Sequence, residues 1–281
     1  MKLPTAEFTF RLLTPCFCGG ADNQAAAEMR VPSIRGQVRW WHRRLMDVAA
    51  VNRIWGVADE ACVFPSKVAL WVDPPFDRVP SRIETILPHK PNRSGKRPAL
   101  PADTDFTLTL QRLPQCSPED WKAALGAVKL WLLLGGLGLR CNRAAGSVWP
   151  LSWPYDPTKP EDGDNCEVPA TDKQLQHTLN LLDFSWPVRL ADATLGGSWD
   201  ELRVAASDTL QGRARFFGDI RPCPSVAGSK RWPSPLKMKV VRLGGQLRLL
   251  LVATLGYDFA GAQKDLHDSG KPLGRVTWSP L

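Results

Sequence analysis

The order in which hydrophobic periods follow one another between Glu7 and Leu151 constrains the fold more than any other feature. Glu7 to Leu13 alternates, with Phe8, Phe10 and Leu12 on one face, the two-residue repeat of a half-buried strand. Pro32-Ser33 then marks a helix start, because a serine hydroxyl accepts from a free first-turn amide and proline blocks continuation upstream. From Ile34 the period lengthens. Val38, Trp41, Leu45 and Val48 share one face, and Arg35, Arg39 and Arg43 form a stripe roughly opposite. Ala61 to Val72 and Asp103 to Leu110 return to strand patterns. Ser117-Pro118-Glu119-Asp120 opens a second helix, with a capping serine, a first-turn proline and early acids, whose apolar face runs through Trp121, Leu125, Val128 and Leu132. It stops at Gly135-Gly136-Leu137-Gly138-Leu139-Arg140, and Ser147 to Leu151 reads as a last short strand. Strand, helix, strand, strand, helix, strand is the ferredoxin-like (RRM-like) order, an α+β class with an antiparallel sheet and both helices on one face, shared by many RNA-binding modules. The glycines follow a helix instead of separating a strand from the helix after it, which excludes a dinucleotide-binding reading.

Charge narrows the partner class. The net charge is +8 from 36 basic and 28 acidic residues, and two segments carry it. Between Arg30 and Arg53 six arginines face one acid, Asp47, and between Arg78 and Arg97 six Arg or Lys face one acid, Glu84. Together they exceed the whole-chain excess, a clustering that favours nucleic acid over general solubility. Neither segment has the lysine-rich, broad apolar pattern of a helix that lies on a membrane. Helix-start amides and guanidinium groups suit phosphate oxygens, paired Gly19-Gly20 allow close backbone approach, and Trp40 projects off the apolar face where it can stack on a base or cover a neighbouring element. A merely solvated basic face is the competing reading. The seven cysteines form an odd set without Cys-x-x-Cys spacing, so no structural metal or cofactor is expected. Glu7 interrupts what a signal peptide keeps apolar, and Lys129 with four glycines breaks the Leu125 to Leu139 run; the expectation is a reduced, cytoplasmic protein.

The boundaries read as a ferredoxin-like unit over residues 1–153, a proline-rich acidic linker or crossover over 154–169, and a helical segment with a β-hairpin over 170–281, either an extension or a partial second unit. Asp73 to Ala102, with seven prolines and the second basic cluster, reads as a long exposed insertion that orders on RNA or stays a solvated loop. Beyond the linker, Thr171 to Leu182 and Ser198 to Ala206 are expected helices, and Gly244-Gly245 joins two strands of a hairpin. On that hairpin Lys237, Lys239 and Arg242 are expected to protect an edge. With no second glycine loop, an internal repeat is not expected.

Taken in order, Thr14-Pro15, Gly19-Gly20, Arg30-x-Pro32-Ser33-Ile34-Arg35-Gly36-x-x-Arg39 with Trp40-Trp41, Gly135-Gly136-Leu137-Gly138-x-Arg140 and Gly146-Ser147 resemble the RAMP superfamily of CRISPR proteins, and within it the family of first subunits of type III-B (Cmr) effector complexes. The likeness spans residues 5 to 150, and Ser234-Pro235-Leu236-Lys237 is similar to a late segment of such subunits. The resemblance implies a non-catalytic RNA-binding subunit that contacts guide RNA, near its 3′ region, and target RNA, with other type III effector subunits as partners in antiviral defence. It implies that Arg30, Arg35, Arg39, Gly136, Gly138, Arg140 and Arg143 face RNA, with Ser33 and Trp40 in support; the residue reading adds Gly19, Gly20 and Arg43. The chain departs from the pattern at His42, at Ala144-Ala145, and in being shorter than tandem two-domain members.

The rival function is a metal-independent RAMP endoribonuclease that processes guide-RNA precursor, with His42 as acid or base beside the arginine stripe. His89, in the basic insertion, is a weaker candidate of the same kind. Asp22 is the candidate for an acid-dependent cleavage, against its ordinary use in capping a turn beside glycine.

Overall fold

The structure is a computed structural model that describes residues 3–19, 25–58, 63–74, 79–90, 92, 95–154, 167–209, 214–217 and 234–281. Gly20, Asp22 and most of the acidic linker lie outside the described residues. The first sheet has the order β4-β7-β1-β8, built from Thr5–Leu12 (β1), Val68–Asp73 (β4), Thr104–Arg112 (β7) and Val148–Ser152 (β8), every pairing antiparallel. Helices Val31–His42 (α1) and Pro118–Leu134 (α3) supply the expected crossovers. The alternation in β1 does what the sequence implies. Phe8, Phe10 and Leu12 are fully buried, and Phe10 stacks on Phe106 at 5.8 Å and meets Trp131 of α3 edge-on at 5.6 Å. Burying one such aromatic contributes roughly 1.5–3 kcal/mol, which is why the sheet face and not the loops sets the layer order.

The two helices differ in how they begin. In α3 the Ser117 hydroxyl accepts from the Asp120 amide, as the sequence predicts. α1 starts three residues before the expected position, on Arg30, with Pro32 in its first turn and no side-chain cap. Ser33 is therefore a helical residue and not the cap. The helix also ends at His42, so Leu45 and Val48 do not continue its core face. Asp47 caps a separate helix, Val48–Trp55 (α2), and accepts from the Ala50 amide at 2.8 Å. Asp120 receives Lys67 at 2.6 Å and Arg53 at 3.3 Å, which ties α2 and the start of β4 to α3.

Two short hairpins complete this half, Val57–Ala58 (β2) with Val63–Phe64 (β3), and Arg82–Thr85 (β5) with Lys96–Ala99 (β6). The second corrects the reading of residues 73–102 as an exposed loop. Its base is packed: Ala99 is buried with Phe17 and Ala145 against Ile86. Cys16 and Leu100 exchange backbone hydrogen bonds of 3.0 and 2.9 Å. No strand period shows in the sequence because each strand is only four residues long and half of its side chains are charged.

The second half also differs from expectation. Asp172–Leu181 (α4), Trp199–Asp208 (α5) and the hairpin Leu236–Leu243 (β10) with Gln246–Ala253 (β11) lie where the sequence puts them. Three further elements, Val188–Ala191 (β9), Phe259–Asp268 (α7) and Trp278–Pro280 (β12), join them, with a single turn at Ala214–Phe217 (α6) between α5 and β10. The second sheet runs β10-β11-β9-β12, so β9, α5, β10, β11, α7 and β12 repeat the strand order of the first sheet. The chain holds two ferredoxin-like units; the expectation of no internal repeat is overturned. The second unit's first and last strands, β9 and β12, have four and three residues, too few to show a period.

Candidate nucleic-acid interface

The loop between α3 and β8 joins everything that matters. Leu137 N–H donates to Gly146 O at 2.8 Å, Leu139 N–H to Phe17 O at 3.0 Å, and Gly146 N–H to Pro15 O at 2.9 Å. The Thr14 hydroxyl donates to Ala144 O at 2.7 Å and accepts from the Ser147 amide at 2.9 Å. Thr14-Pro15 and Gly146-Ser147, distant in sequence, are thus two ends of one stitch. Gly138 has φ +79°, and a Cβ there would lie 2.7 Å from the Phe17 carbonyl. At Gly136 a Cβ would lie 3.0 Å from Gly146 O. Both glycines are required by the approach of neighbouring backbone, and Gly136 is buried. That close approach gives both glycines a packing role.

Segment 16–19 links this loop to the start of α1. The Cys16 thiol lies 3.4 Å from Leu137 O, and the polar groups of Cys16, Ser33 and Arg30 around the buried Cys18 hold its pKa down to about 7 against the opposing effect of burial. Ser33 is half-buried within the first turn of α1. Gly19 is exposed and bridges Ala27.

Along α1 the predicted arginines separate into two groups. No carboxylate among the described residues pairs with the side chains of Arg30, Arg35, Arg39 or Arg43. Arg39 donates to Asn52 Oδ1 at 2.9 Å, and burial followed by the charges of Arg43 and Arg35 lowers its pKa. Like charges set four residues apart without acids between them destabilise a free helix, so the row stands at a cost of a few tenths of a kcal/mol per pair. Arg30 and Arg43 are exposed and Arg35 is half-buried. Arg140 belongs with them. It holds a left-handed φ of 65°, has no ion pair among the described residues, and has its pKa lowered by burial.

Three predicted residues are used internally. Arg143 is 4% exposed. Its guanidinium donates to Asn142 O at 2.8 Å, to Ser234 Oγ and Leu236 O at 3.1 Å each, and to Phe217 O, and burial lowers its pKa to about 10. It is a clamp between the glycine loop and the second unit, closed to RNA. Trp40 meets Trp186 edge-on at 6.0 Å, with the Arg44 guanidinium 4.7 Å and the Lys237 ammonium 4.1 Å from its ring centre. These cations occupy the ring as cation–π partners, so Trp40 joins the two units and does not offer a face to a base. His42 is fully buried. Its Nδ1 accepts from Trp55 Nε1 at 2.7 Å, its Nε2 lies 3.2 Å from Met46 Sδ, and burial pulls its pKa to about 4. An acid or base must reach a substrate proton, and this ring reaches only Trp55 and Met46.

The hairpin cations behave the same way. Lys237 donates to Asn142 Oδ1 at 2.8 Å, Lys239 to Leu132 O at the end of α3, and Arg242 lies 3.5 Å from Asp103. Ala144 N–H donates to Met238 O at 2.9 Å and Met238 N–H to Asn142 O at 3.2 Å, so the loop covers the outer edge of β10. Sequence reasoning assigned these residues to edge protection; the covering loop, not their charge, protects the edge. Without an ion pair among the described residues stand Arg30, Arg35 and Arg43 along α1 and Arg140 on the glycine loop. Arg44 and Arg53, counted in the basic cluster, are committed to Trp40 and Asp120.

No helix among the described residues is long and apolar enough to cross a membrane. The fold is similar to the crystal structure of apo Cmr1 from Pyrococcus furiosus, at 18% identity and TM-score 0.60, covering 92% of this chain and 89% of that one. It is also similar to a chain in the cryo-EM structure of the type III-B Cmr-beta complex bound to cognate target RNA, at 12% identity and TM-score 0.56, covering 97% and 98%. A second Cmr-beta structure, bound to cognate target RNA and AMPPnP in the presence of single-stranded DNA, gives 11% identity and TM-score 0.57 over 95% and 98%. No curated protein matches the sequence. The RAMP superfamily model matches residues 9–149, which takes in the first sheet, the arginine helix and the stitched glycine loop, and the chain belongs to the RAMP superfamily.

Proposed function

We propose that this chain is a non-catalytic RNA-binding subunit of a type III CRISPR RNA-guided effector complex, in contact with guide RNA, target RNA or both. The observation that carries the reading is the row of arginines on α1 without acidic partners among the described residues, with Arg140 on the glycine loop in the same condition. A protein that needed these charges only for solubility would gain by pairing them, whereas phosphates on a strand supply the missing countercharge. The similarity in fold to chains of complexes bound to target RNA supports the same partner class. The enclosure of His42 weighs against its use as an acid or base and so supports the non-catalytic reading. The mechanism is positional. Guanidinium groups hold backbone phosphates, and base pairing between RNA strands supplies sequence specificity.

The test is single-stranded RNA binding measured against salt for the wild type and the Arg35→Ala/Arg43→Ala double variant. Each phosphate of a single strand that goes without its arginine lowers the slope of log K against log salt by about 0.7, so the double variant is expected to fall short of the wild type by up to about 1.4. An unchanged slope with unchanged affinity means that α1 does not face RNA.

A further inference from the structure

The His89 cluster is the group of chemically able side chains that the α1 surface does not account for. His89 sits in a tight turn closed by Lys90 N–H donating to Leu87 O at 2.9 Å, within the β5–β6 insertion. The turn is fixed from two sides. Arg203 of α5, 2% exposed, donates to Thr85 O and lies 5.1 Å over the Phe17 ring. Further along α5 the Ser207 hydroxyl lies 2.8 Å from His89 Nδ1. The segments that meet here are distant in sequence: the insertion, the glycine loop through Arg140, α5, and the stretch before residues 272–275 through Lys271. Arg140, Lys90 and Lys271 all act on the His89 ring electrostatically, and Asp208 is the one carboxylate that does. Asp208 is already held by Lys271 at 3.0 Å. Arg140 and Lys90 have no ion pair among the described residues. The half-buried junction therefore gathers His89, Lys90 and Arg140 beside the Lys271–Asp208 ion pair.

We propose that this junction, formed by His89, Lys90, Arg140 and Lys271, binds a backbone phosphate of a single RNA strand and carries the strand from the α1 arginines across to the second unit. The proposal rests on the RNA-binding reading above and extends its path, with Arg140 shared by both surfaces. A phosphate fits because it needs donors and positive potential together, and the ring nitrogen of His89 not turned to Ser207 adds a donor. Burial first, and then the charges of Lys90, Lys271 and Arg140 against that of Asp208, hold the imidazole neutral below its ordinary pKa. An entering phosphate adds the opposite charge and reverses the balance, so binding draws a proton onto His89. By linkage, RNA then binds more tightly as pH falls, by up to about tenfold for each pK unit that the phosphate adds.

The experiment uses the full chain with a short single-stranded RNA, at about pH 6 and about pH 8, for the wild type, His89→Asn and Lys90→Ala. Asparagine keeps a hydrogen-bond partner for Ser207 and cannot titrate. The wild type is expected to bind more tightly at the lower pH, and His89→Asn to lose that difference. Lys90→Ala is expected to lower the salt slope by about 0.7. Nuclear magnetic resonance of the His89 ring during addition of RNA or of inorganic phosphate reads the site directly. RNA shifting the ring at concentrations where phosphate does not supports the proposal; equal response to both overturns the strand path. If His89→Asn keeps the wild-type pH dependence and Lys90→Ala the wild-type slope, while Arg35→Ala/Arg43→Ala still weakens binding, the junction is refuted and the α1 reading stands. Absence of RNA binding by the wild type overturns both.

Discussion

Arg143→Ala should unfold the joint between the two units before it affects anything else. Four acceptors surround the guanidinium, and their fates differ when it is removed. Asn142 O keeps the Met238 amide at 3.2 Å and Leu236 O keeps the Ser234 hydroxyl at 2.5 Å, whereas Phe217 O loses the donor that Arg143 brings. Hydrogen bonds to a charged group contribute about 1.5–3 kcal/mol each, and an unsatisfied buried carbonyl costs about 1–3 kcal/mol. Against this, removal of a buried cation relieves its desolvation, so the net loss for alanine, including the void, is about 3–5 kcal/mol. For a chain of this size each kcal/mol corresponds to about 2–4 °C, and the expected fall in Tm is on the order of 10 °C. Arg143→Met fills the volume and relieves the charge, so it should lose less than half as much. Thermal and urea unfolding measure both, alongside RNA binding by the folded fraction of Arg143→Met. Wild-type stability combined with weaker RNA binding and a shallower salt slope would show that this guanidinium faces RNA and that the clamp argument is wrong.

His42 makes stability depend on pH with a definite sign. The unfolded imidazole takes a proton near its ordinary pKa of 6.5, while the folded ring resists until about 4. Unfolding takes up a proton in that window, so stability is fully present above about pH 6.5 and falls as pH drops towards 4, by about 1.4 kcal/mol per pH unit and about 3 kcal/mol in all. In His42→Phe the urea midpoint should lose most of this slope, and its stability at neutral pH should drop by about 1–3 kcal/mol because the Trp55 N–H loses its acceptor; an unaltered slope would assign the titration elsewhere. Gly138→Ala forces a Cβ against the Phe17 carbonyl at a left-handed φ, and is expected to cost about 1–3 kcal/mol. A normally stable Gly138→Ala protein with selectively weakened RNA affinity would restore the RNA-facing role of that glycine.

The first unit was legible because its strands and helices are long enough to declare a period. β1 alternates over eight residues and α3 runs for seventeen, so pattern and structure agree. The second unit was legible only at α4, α5 and the hairpin. β9 has four residues and β12 three, too few to distinguish a strand from an apolar loop, and they acquire their identity from β11 and from each other. The start of α1 differs because serine after proline imitates a cap, whereas the helix begins at Val31 with Pro32 in its first turn and no side-chain cap. For the site, sequence located the charges without their direction. Arg140 and Arg143 lie three residues apart on one loop, yet one is half-buried without an acid and the other is enclosed by carbonyls of the second unit. Trp40 carries the same lesson, since its ring is covered by Lys237, far away in sequence. A signal for that joint was present: the three cations of β10 were noted, and their partners, Asn142, Leu132 and Asp103, all lie in the first unit.

The most direct test of the central claim is ultraviolet cross-linking of the protein to its RNA, followed by mass spectrometry of the cross-linked peptides. The protein is taken from its native host, in whatever complex it forms. Cross-links on peptides containing residues 30–43 and 138–140, on short RNAs that share a repeat-derived end and in company with other CRISPR subunits, are the predicted result. Cross-links found only on the sheet faces away from α1, or a protein recovered with neither RNA nor partner subunits, would contradict the account and leave the fold alone standing.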